Sequence, residues 1–163
     1  MATACKARRK VRSMTEKSKR SEPKIRRAKS GDAADLAALS GELGYPATAA
    51  EMRSRLSRLK SAASDALFVA ECDGELIGWL HISVNHLIEV PTRAEINAFI
   101  VSEKQRSKGA GSRLLDAAVK WARGKKCGHM SVRCNVVRER AHAFYERHGF
   151  EHYKTQKAFR KPL

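Results

Sequence analysis

Runs of alternating or mostly apolar residues in the middle of the chain predict its strands. Three such runs follow one another, at residues 66–70, 75–84 and 93–101, and each is rich in β-branched or aromatic side chains. These side chains are typical of strands that face a core. Asp73-Gly74, between the first two runs, favours a two-residue hairpin turn. We therefore predict three sequential antiparallel strands, with a short strand at 24–29 before them.

Apolar residues at helical spacing predict four helices: 33–42, a segment after Thr48, 112–123 and 138–148. Thr48 and Glu51 form a capping-box signature at the start of the second helix. Residues 129–134 and 153–159 complete the pattern as strands. Because a helix connects the strand at 93–101 to the strand at 129–134, we predict that these two are parallel.

The stretch from Ile96 to Ser112 combines a strand, a glycine-rich turn and the start of a helix. The first N–H groups of a helix have no partner inside the helix, and the helix dipole makes this end partly positive. Glycine has no Cβ, so an anion can approach its backbone closely. Arg106, Lys108 and Arg113 add full positive charges. The stretch therefore predicts a phosphate-binding turn.

Two common phosphate loops do not fit this turn. A nucleoside-triphosphate loop ends in Gly-Lys-Ser/Thr, whereas residues 108–112 read Lys-Gly-Ala-Gly-Ser. A dinucleotide loop needs a third glycine where Leu114 stands. Residues 106–111 (RSKGAG) instead resemble the acetyl-CoA loop of the GNAT superfamily of N-acetyltransferases. Residues 135–150, with an Asn after a strand and F-Y-x-x-x-G-F closing a helix, resemble a second motif of that family.

The resemblance covers residues 24–161 and implies an α+β fold with three layers. The expected sheet is mixed, mostly antiparallel and twisted, with 6–7 strands flanked by about four helices. The strand before the turn and the strand after the next helix would diverge at one end, often with a β-bulge in the first. The first two helices would form one wall of an acceptor pocket, although plain packing explains them equally well.

Acetyl-CoA is the co-substrate that the resemblance implies, and no metal is expected. The backbone of Phe99, Ile100 and Val101 would pair with the pantetheine arm. The diphosphate would lie on the turn residues Arg106, Ser107, Lys108, Gly109, Ala110, Gly111 and Ser112. Asn135 would bind the cofactor arm or cap the next helix, and the two roles are compatible. Tyr145 is the remaining implied cofactor contact.

The chemistry requires a base and an acid. A lysine-like amine, with a pKa of about 10.4, is mostly protonated at neutral pH and must lose a proton before it attacks. Glu95 is the candidate base, directly or through water, and an ordinary strand residue is the alternative. Tyr145 matches the family tyrosine that protonates the leaving CoA thiolate, and a packing aromatic is the alternative. Backbone N–H groups of residues 99–101 would stabilise the oxyanion.

Charge is concentrated at the start of the chain. The sequence has 33 Lys and Arg against 17 Asp and Glu, a net charge of +16 that favours anionic partners. Residues 1–22 hold eight of the basic and two of the acidic residues and show no hydrophobic period. We predict a disordered basic tail at 1–22 and one acetyltransferase-like domain at 23–163. A transit peptide, a start at Met14 and nucleic-acid contact are the alternatives, and nucleic acid is not an expected partner.

The four cysteines form no C-x-x-C pair, and no run approaches the roughly 20 apolar residues of a membrane span. We therefore expect a reduced, cytoplasmic protein without a membrane partner. A homodimer is left open.

These features predict an N-acetyltransferase that moves an acetyl group from acetyl-CoA to a primary amine by direct attack in a ternary complex. The expected acceptor is a small amine or an amino sugar. The alternatives are a protein or peptide N-terminus or lysine, and a non-catalytic acyl-CoA- or nucleic-acid-binding module.

Overall fold

The computed structural model describes residues 21–163. The strands are β1 (Lys24–Arg27), β2 (Asp65–Cys72), β3 (Glu75–Asn85), β4 (Arg93–Val101) and β5 (Met130–Val132). The α-helices are α1 (Ala33–Leu43), α2 (Ala49–Ser61), α3 (Ala110–Gly124) and α4 (Glu139–Arg147). The basic tail predicted at 1–22 lies almost entirely outside the described residues, so its disorder stays a prediction.

The strands form one sheet in chain order, β1-β2-β3-β4-β5. The pairs from β1 to β4 are antiparallel, and β4 and β5 are parallel. Asp73 and Gly74 form the predicted hairpin turn, and both have a positive φ, 51° and 84°, as a type I′ turn requires. The mixed, mostly antiparallel sheet is confirmed.

Helices cover both faces of the sheet, which gives the predicted three layers. On one face, α3 buries Leu114 against Ile96 of β4. On the other face, α1 and α2 bury Leu36 and Leu56 against Trp79 of β3. The predicted capping box starts α2, since the Thr48 hydroxyl accepts from the Glu51 N–H and the Glu51 carboxylate accepts from the Thr48 N–H.

Two backbone features shape β4. His81 of β3 faces Ala98 and Ile82 faces Ile96, so Asn97 is an extra residue that forms a β-bulge. Near the end of β4, a Cβ on Gly78 would stand 2.6 Å from the Ile100 carbonyl oxygen. Only glycine fits there, and β3 therefore lies tightly against Ile100 and Val101, the last two residues of β4.

The predicted number of strands was wrong: residues 21–163 form five strands, not six or seven. The segment 153–159, expected as the last strand, is exposed and irregular. Of the side chains that would share one face of this strand (residues 153, 155, 157 and 159), only Tyr153 and Phe159 at the two ends are aromatic or apolar. The neighbouring edge strand, β5, is only three residues long and offers little to pair with. Four α-helices are present in the described residues, as predicted.

Within residues 21–163, no helix is both long and apolar enough to cross a membrane.

An ion-pair network joins β1 to the start of α1 and to β2. The Arg26 guanidinium donates two hydrogen bonds to the carboxylate of Asp32, at 2.8 and 2.9 Å, and a third to Glu71 at 2.8 Å. The Lys29 N–H also donates to Asp32. The hydrogen bonds from Arg26 lower the pKa of the Asp32 carboxyl below its usual range. The network fixes the edge strand β1 to the rest of the sheet.

Replacing Asp32 with Asn should lower the free energy of unfolding by about 3 kcal/mol, because the mostly buried Arg26 then lacks its main partner. The carboxylate is stabilised in the folded state, so its contribution is present above about pH 4 and is lost as the pH falls below that value. Urea unfolding at pH 7 and at pH 3 measures both effects. Glu71→Gln is the matched control, with an expected loss of about 1 kcal/mol or less, since Glu71 is more exposed. Equal losses for the two variants would contradict this account.

Candidate active site

The turn between β4 and α3 has the backbone of an anion site. Ser107 and Gly109 both adopt a positive φ, 63° and 84°. Helix α3 begins at Ala110, and its first internal bond runs from the Arg113 N–H to the Gly109 carbonyl. Within the part of the chain that the structure describes, the N–H groups of residues 107–112 have no hydrogen-bond acceptor. They converge at the positive end of the α3 dipole.

The basic side chains around this turn have different roles. Arg106 stays within the turn region, where it donates to the Val101 carbonyl and to Glu103. Lys108 donates to the side chain of Gln105. Arg140 of α4 reaches the Ser107 hydroxyl at 3.2 Å and brings a positive charge to the turn. Sequence reasoning missed Arg140, because only the fold places α4 beside the turn.

Gly111 and Ser112 dock α4 onto α3. A Cβ on Gly111 would lie 3.2 Å from the Phe144 ring, so the absence of a side chain lets the ring of α4 pack closely on α3. The Ser112 hydroxyl and Nε2 of His148 are 2.9 Å apart, and the other ring nitrogen is 2.7 Å from the Phe144 carbonyl. A carbonyl only accepts, so Nδ1 donates to the Phe144 carbonyl, and Nε2 of the neutral ring accepts from Ser112. His148 also went unnoticed in the sequence.

An opening lies between β4 and β5. The two strands pair at three positions only, from Ala94–Met130 to Ile96–Val132. Beyond Ile96, β4 continues to Val101, and no described strand pairs with this edge. Backbone groups point alternately to the two edges of a strand, and the Ser102 N–H donates to the Ile77 carbonyl, so Ile100 forms a hydrogen-bonded pair with Trp79 and faces β3. Phe99 and Val101 therefore offer free backbone groups along the opening, except that the Val101 carbonyl accepts from Arg106, whereas the predicted contribution of Ile100 is not available. The predicted divergence of these strands is present.

Tyr145 belongs to an aromatic cluster beside this opening. Its ring centroid lies 6.4 Å from that of Phe99, 5.6 Å from Phe144 and 5.4 Å from Phe150. The hydroxyl has no hydrogen-bond partner among residues 21–163. Burial raises the pKa of the Tyr145 phenol well above its usual range. The side chain is consequently a neutral O–H donor at neutral pH.

Asn135 orders the turn that leads into α4. Its side-chain oxygen accepts from the Val137 N–H at 3.2 Å, and its carbonyl accepts from the Arg138 N–H at 3.0 Å. The N-cap residue of α4 is Arg138, so Asn135 does not cap the helix itself. Its side-chain amide nitrogen has no partner among residues 21–163.

Glu95 is held where β4 and β5 still pair. Its side chain is 4% exposed, and its carboxylate accepts from Arg133 at 2.7 Å and from Asn85 at 2.7 Å. The Asn97 amide donates to the Ser83 hydroxyl at 2.8 Å on the same face of the sheet. A polar row of side chains thus runs along this face between Glu95 and the β-bulge.

A cleft of about 150 Å³ lies on that same face, between the sheet and helices α1 and α2. It is lined by Leu36, Ser40, Met52, Arg55, Leu59, Leu67, Trp79, His81 and Ala98. The expected wall of α1 and α2 is therefore present. Ala98 is the link to the opening, because the next residues of β4 border it.

Comparison with known proteins identifies the family of the chain. The model of the acetyltransferase (GNAT) family matches residues 35–150. Aminoglycoside N(6')-acetyltransferase type 1 of Klebsiella aerogenes is 27% identical over 150 residues, covering 88% of this chain and 99% of that protein. The uncharacterized N-acetyltransferase YhfO of Bacillus subtilis (strain 168) is 31% identical over 134 residues, covering 78% and 89%.

Among solved structures, AAC(6')-Iy in complex with the bisubstrate analog CoA-S-monomethyl-acetylneamine has a TM-score of 0.77 at 19% identity, covering 88% of this chain and 100% of that one. At this identity the likeness shows the shared fold. Together with the family match and the relatives, it confirms what the two sequence motifs indicated. The chain belongs to the acetyltransferase (GNAT) family and is an acetyl-CoA-dependent N-acetyltransferase.

Proposed function

We propose that this enzyme acetylates the primary amine of a small molecule by direct attack in a ternary complex. One observation carries the proposal: β4 borders the opening toward β5 and also, through Ala98, the cleft beneath α1 and α2. A thioester along the opening and an amine in the cleft would meet at this one strand. Because an aminoglycoside acetyltransferase is among the relatives, an amino sugar is the acceptor class that similarity alone suggests.

The turn residues Arg106 to Ser112 are proposed to hold the diphosphate. Their support is the set of N–H groups without acceptors at residues 107–112, next to the positive end of α3 and the charge of Arg140. The free backbone groups of Phe99 and Val101, on either side of Ile100, would hold the pantetheine arm, and the Asn135 amide would add a donor. Acetyl-CoA, when bound, supplies the thioester carbonyl that the amine attacks.

Gly109→Asp should weaken acetyl-CoA binding at least ~10-fold relative to Gly109→Asn, because it places a negative charge close to the diphosphate. Asn is the matched control: it has almost the same shape and tolerates the positive φ of this position. Isothermal titration calorimetry measures the two dissociation constants. Equal affinities would show that the diphosphate lies elsewhere.

Tyr145 is proposed to donate its proton to the leaving thiolate. Thiols have a pKa of about 8.5, so the thiolate is basic enough to accept a strong hydrogen bond at neutral pH. Burial keeps the phenol protonated across that range, and no described residue competes for its hydroxyl. These two properties suit a donor held ready beside the opening.

Tyr145→Phe should lower kcat about 100-fold while leaving the acetyl-CoA dissociation constant unchanged, because only the acid is lost. The exposed Tyr153 offers the matched control, and Tyr153→Phe should keep the wild-type rate. Steady-state kinetics with calorimetry of acetyl-CoA binding give both quantities. A kcat within twofold of wild type would end the proposed acid role.

Glu95 is proposed as the base, acting through water. Direct contact with the acceptor is disfavoured, because the carboxylate is almost fully buried and already accepts from Arg133 and Asn85. The polar row through Ser83 and Asn97 leads from Glu95 toward the cleft and could order such a water.

Glu95→Gln should lower kcat at least ~100-fold at pH 7, and the loss should shrink as the pH rises, because more of the amine is then already deprotonated. Arg133→Gln is the control: it breaks the same ion pair, keeps the carboxylate and should retain most of the activity. If Glu95 only joins β4 to β5, both variants would lose stability in urea and neither would show the pH-dependent loss of kcat.

A further inference from the structure

A histidine–carboxylate pair stands at the cleft. Nε2 of His81 lies 2.9 Å from Oδ1 of Asp65, and the two side chains are 21% and 17% exposed. An ionised carboxylate only accepts hydrogen bonds, so Nε2 carries a proton, and in the neutral imidazole Nδ1 keeps a lone pair. Nδ1 has no hydrogen-bond partner among residues 21–163. The pair therefore presents one acceptor, backed by a negative charge, in the wall of the cleft.

The rest of the lining is mostly apolar. Six of the nine lining residues are Leu36, Met52, Leu59, Leu67, Trp79 and Ala98. The volume of about 150 Å³ equals that of an engineered apolar cavity in another protein that takes up benzene. A sugar ring in this space would bury hydroxyls with few partners, at about 1–3 kcal/mol for each unsatisfied group. The cleft thus fits one apolar ring or a branched chain.

Charge at the cleft opposes a polycation. Arg55 is exposed on α2, and no carboxylate is among the nine lining residues. Asp65 stands behind His81 and can balance one ammonium group only. The indole N–H of Trp79, which is buried without an acceptor in the described part of the chain, leaves a place for one oxygen atom on the ligand.

We propose, on the basis of the proposed function, that the acceptor is a compact primary monoamine with an apolar body, and that its ammonium group donates to Nδ1 of His81. Asp65 is then a positioning residue that fixes the ring nitrogen and balances the ammonium charge. The amine end lies beside Ala98 of β4, next to the strand that borders the opening. The cleft selects this class against sugar rings that carry several amino groups.

The acceptor class is tested by measuring thiol release from acetyl-CoA with phenethylamine, glucosamine and kanamycin. We expect kcat/KM for phenethylamine to exceed the other two values at least ~10-fold. A preference for glucosamine or kanamycin would overturn this inference and leave the proposed function standing. Failure to acetylate any small amine, including the three probes, by a protein that binds acetyl-CoA would count against the proposed function itself.

The role of His81 is tested with His81→Gln, and His86→Gln is the control because it makes the same change at an exposed histidine of the next loop. We expect His81→Gln to raise KM for phenethylamine about 10-fold, with KM for acetyl-CoA unchanged. Asp65→Asn should act in the same direction and serves if the first variant does not fold.

Comparing the two KM values separates ligand binding from a purely structural pair. The charged groups that face His81 are Asp65 from β2 and Arg55 from α2, whereas α1 and β4 contribute the uncharged Leu36, Ser40 and Ala98. A purely structural pair would lower the unfolding midpoint of His81→Gln and leave KM for phenethylamine at the wild-type value. That outcome would overturn the proposal.

Discussion

Three residue pairs hold β4 to β5 before the two strands part, and the arrangement of the site depends on that short ladder. Strand pairing normally satisfies backbone groups, so an unpaired edge in a sheet calls for a partner. Here the ladder ends beside the aromatic cluster of Phe99 and Tyr145, and the Glu95–Arg133 contact ties the strands together just before they diverge. The last residues of β4 are free to pair with a ligand because β5 ends there.

β4 borders both the opening and the cleft because side chains alternate along it. Phe99 and Val101 face the layer of α3, whereas Ala98 and Ile100 face the layer of α1 and α2. The edge of the same strand faces the opening. The bulge at Asn97 resets this alternation within β4, since it places Ile96 and Phe99 on one face although three positions separate them. A strand without the bulge would send Phe99 to the cleft side.

Local signals in the sequence were sufficient to predict most of the helices and strands and the glycine-rich turn between β4 and α3. Asp73-Gly74 needs positive φ angles at both residues, Thr48 and Glu51 satisfy each other's backbone, and the glycine-rich turn carries its own conformational requirement. Contacts between distant segments could not be predicted this way. Three such contacts form only when the fold is complete: Arg140 with Ser107, His148 with Ser112, and His81 with Asp65. No spacing in the sequence predicts any of them. The segment 153–159 failed for the converse reason, because a strand requires a partner that its own pattern does not specify.

The close backbone contact at Gly78 determines which side of the opening between β4 and β5 can move. The glycine leaves β3 and the end of β4 in direct backbone contact, with the α1 and α2 layer behind them. That half of the molecule therefore forms the rigid side of the opening. On the other side, β5 is short, and α4 is attached through the aromatic contacts of Phe144 and Tyr145 with Phe99 and through the Ser112–His148 bond. Room for a bulkier acyl group would accordingly have to come from movement of β5 and α4, and the cleft beneath α1 and α2 would keep its shape.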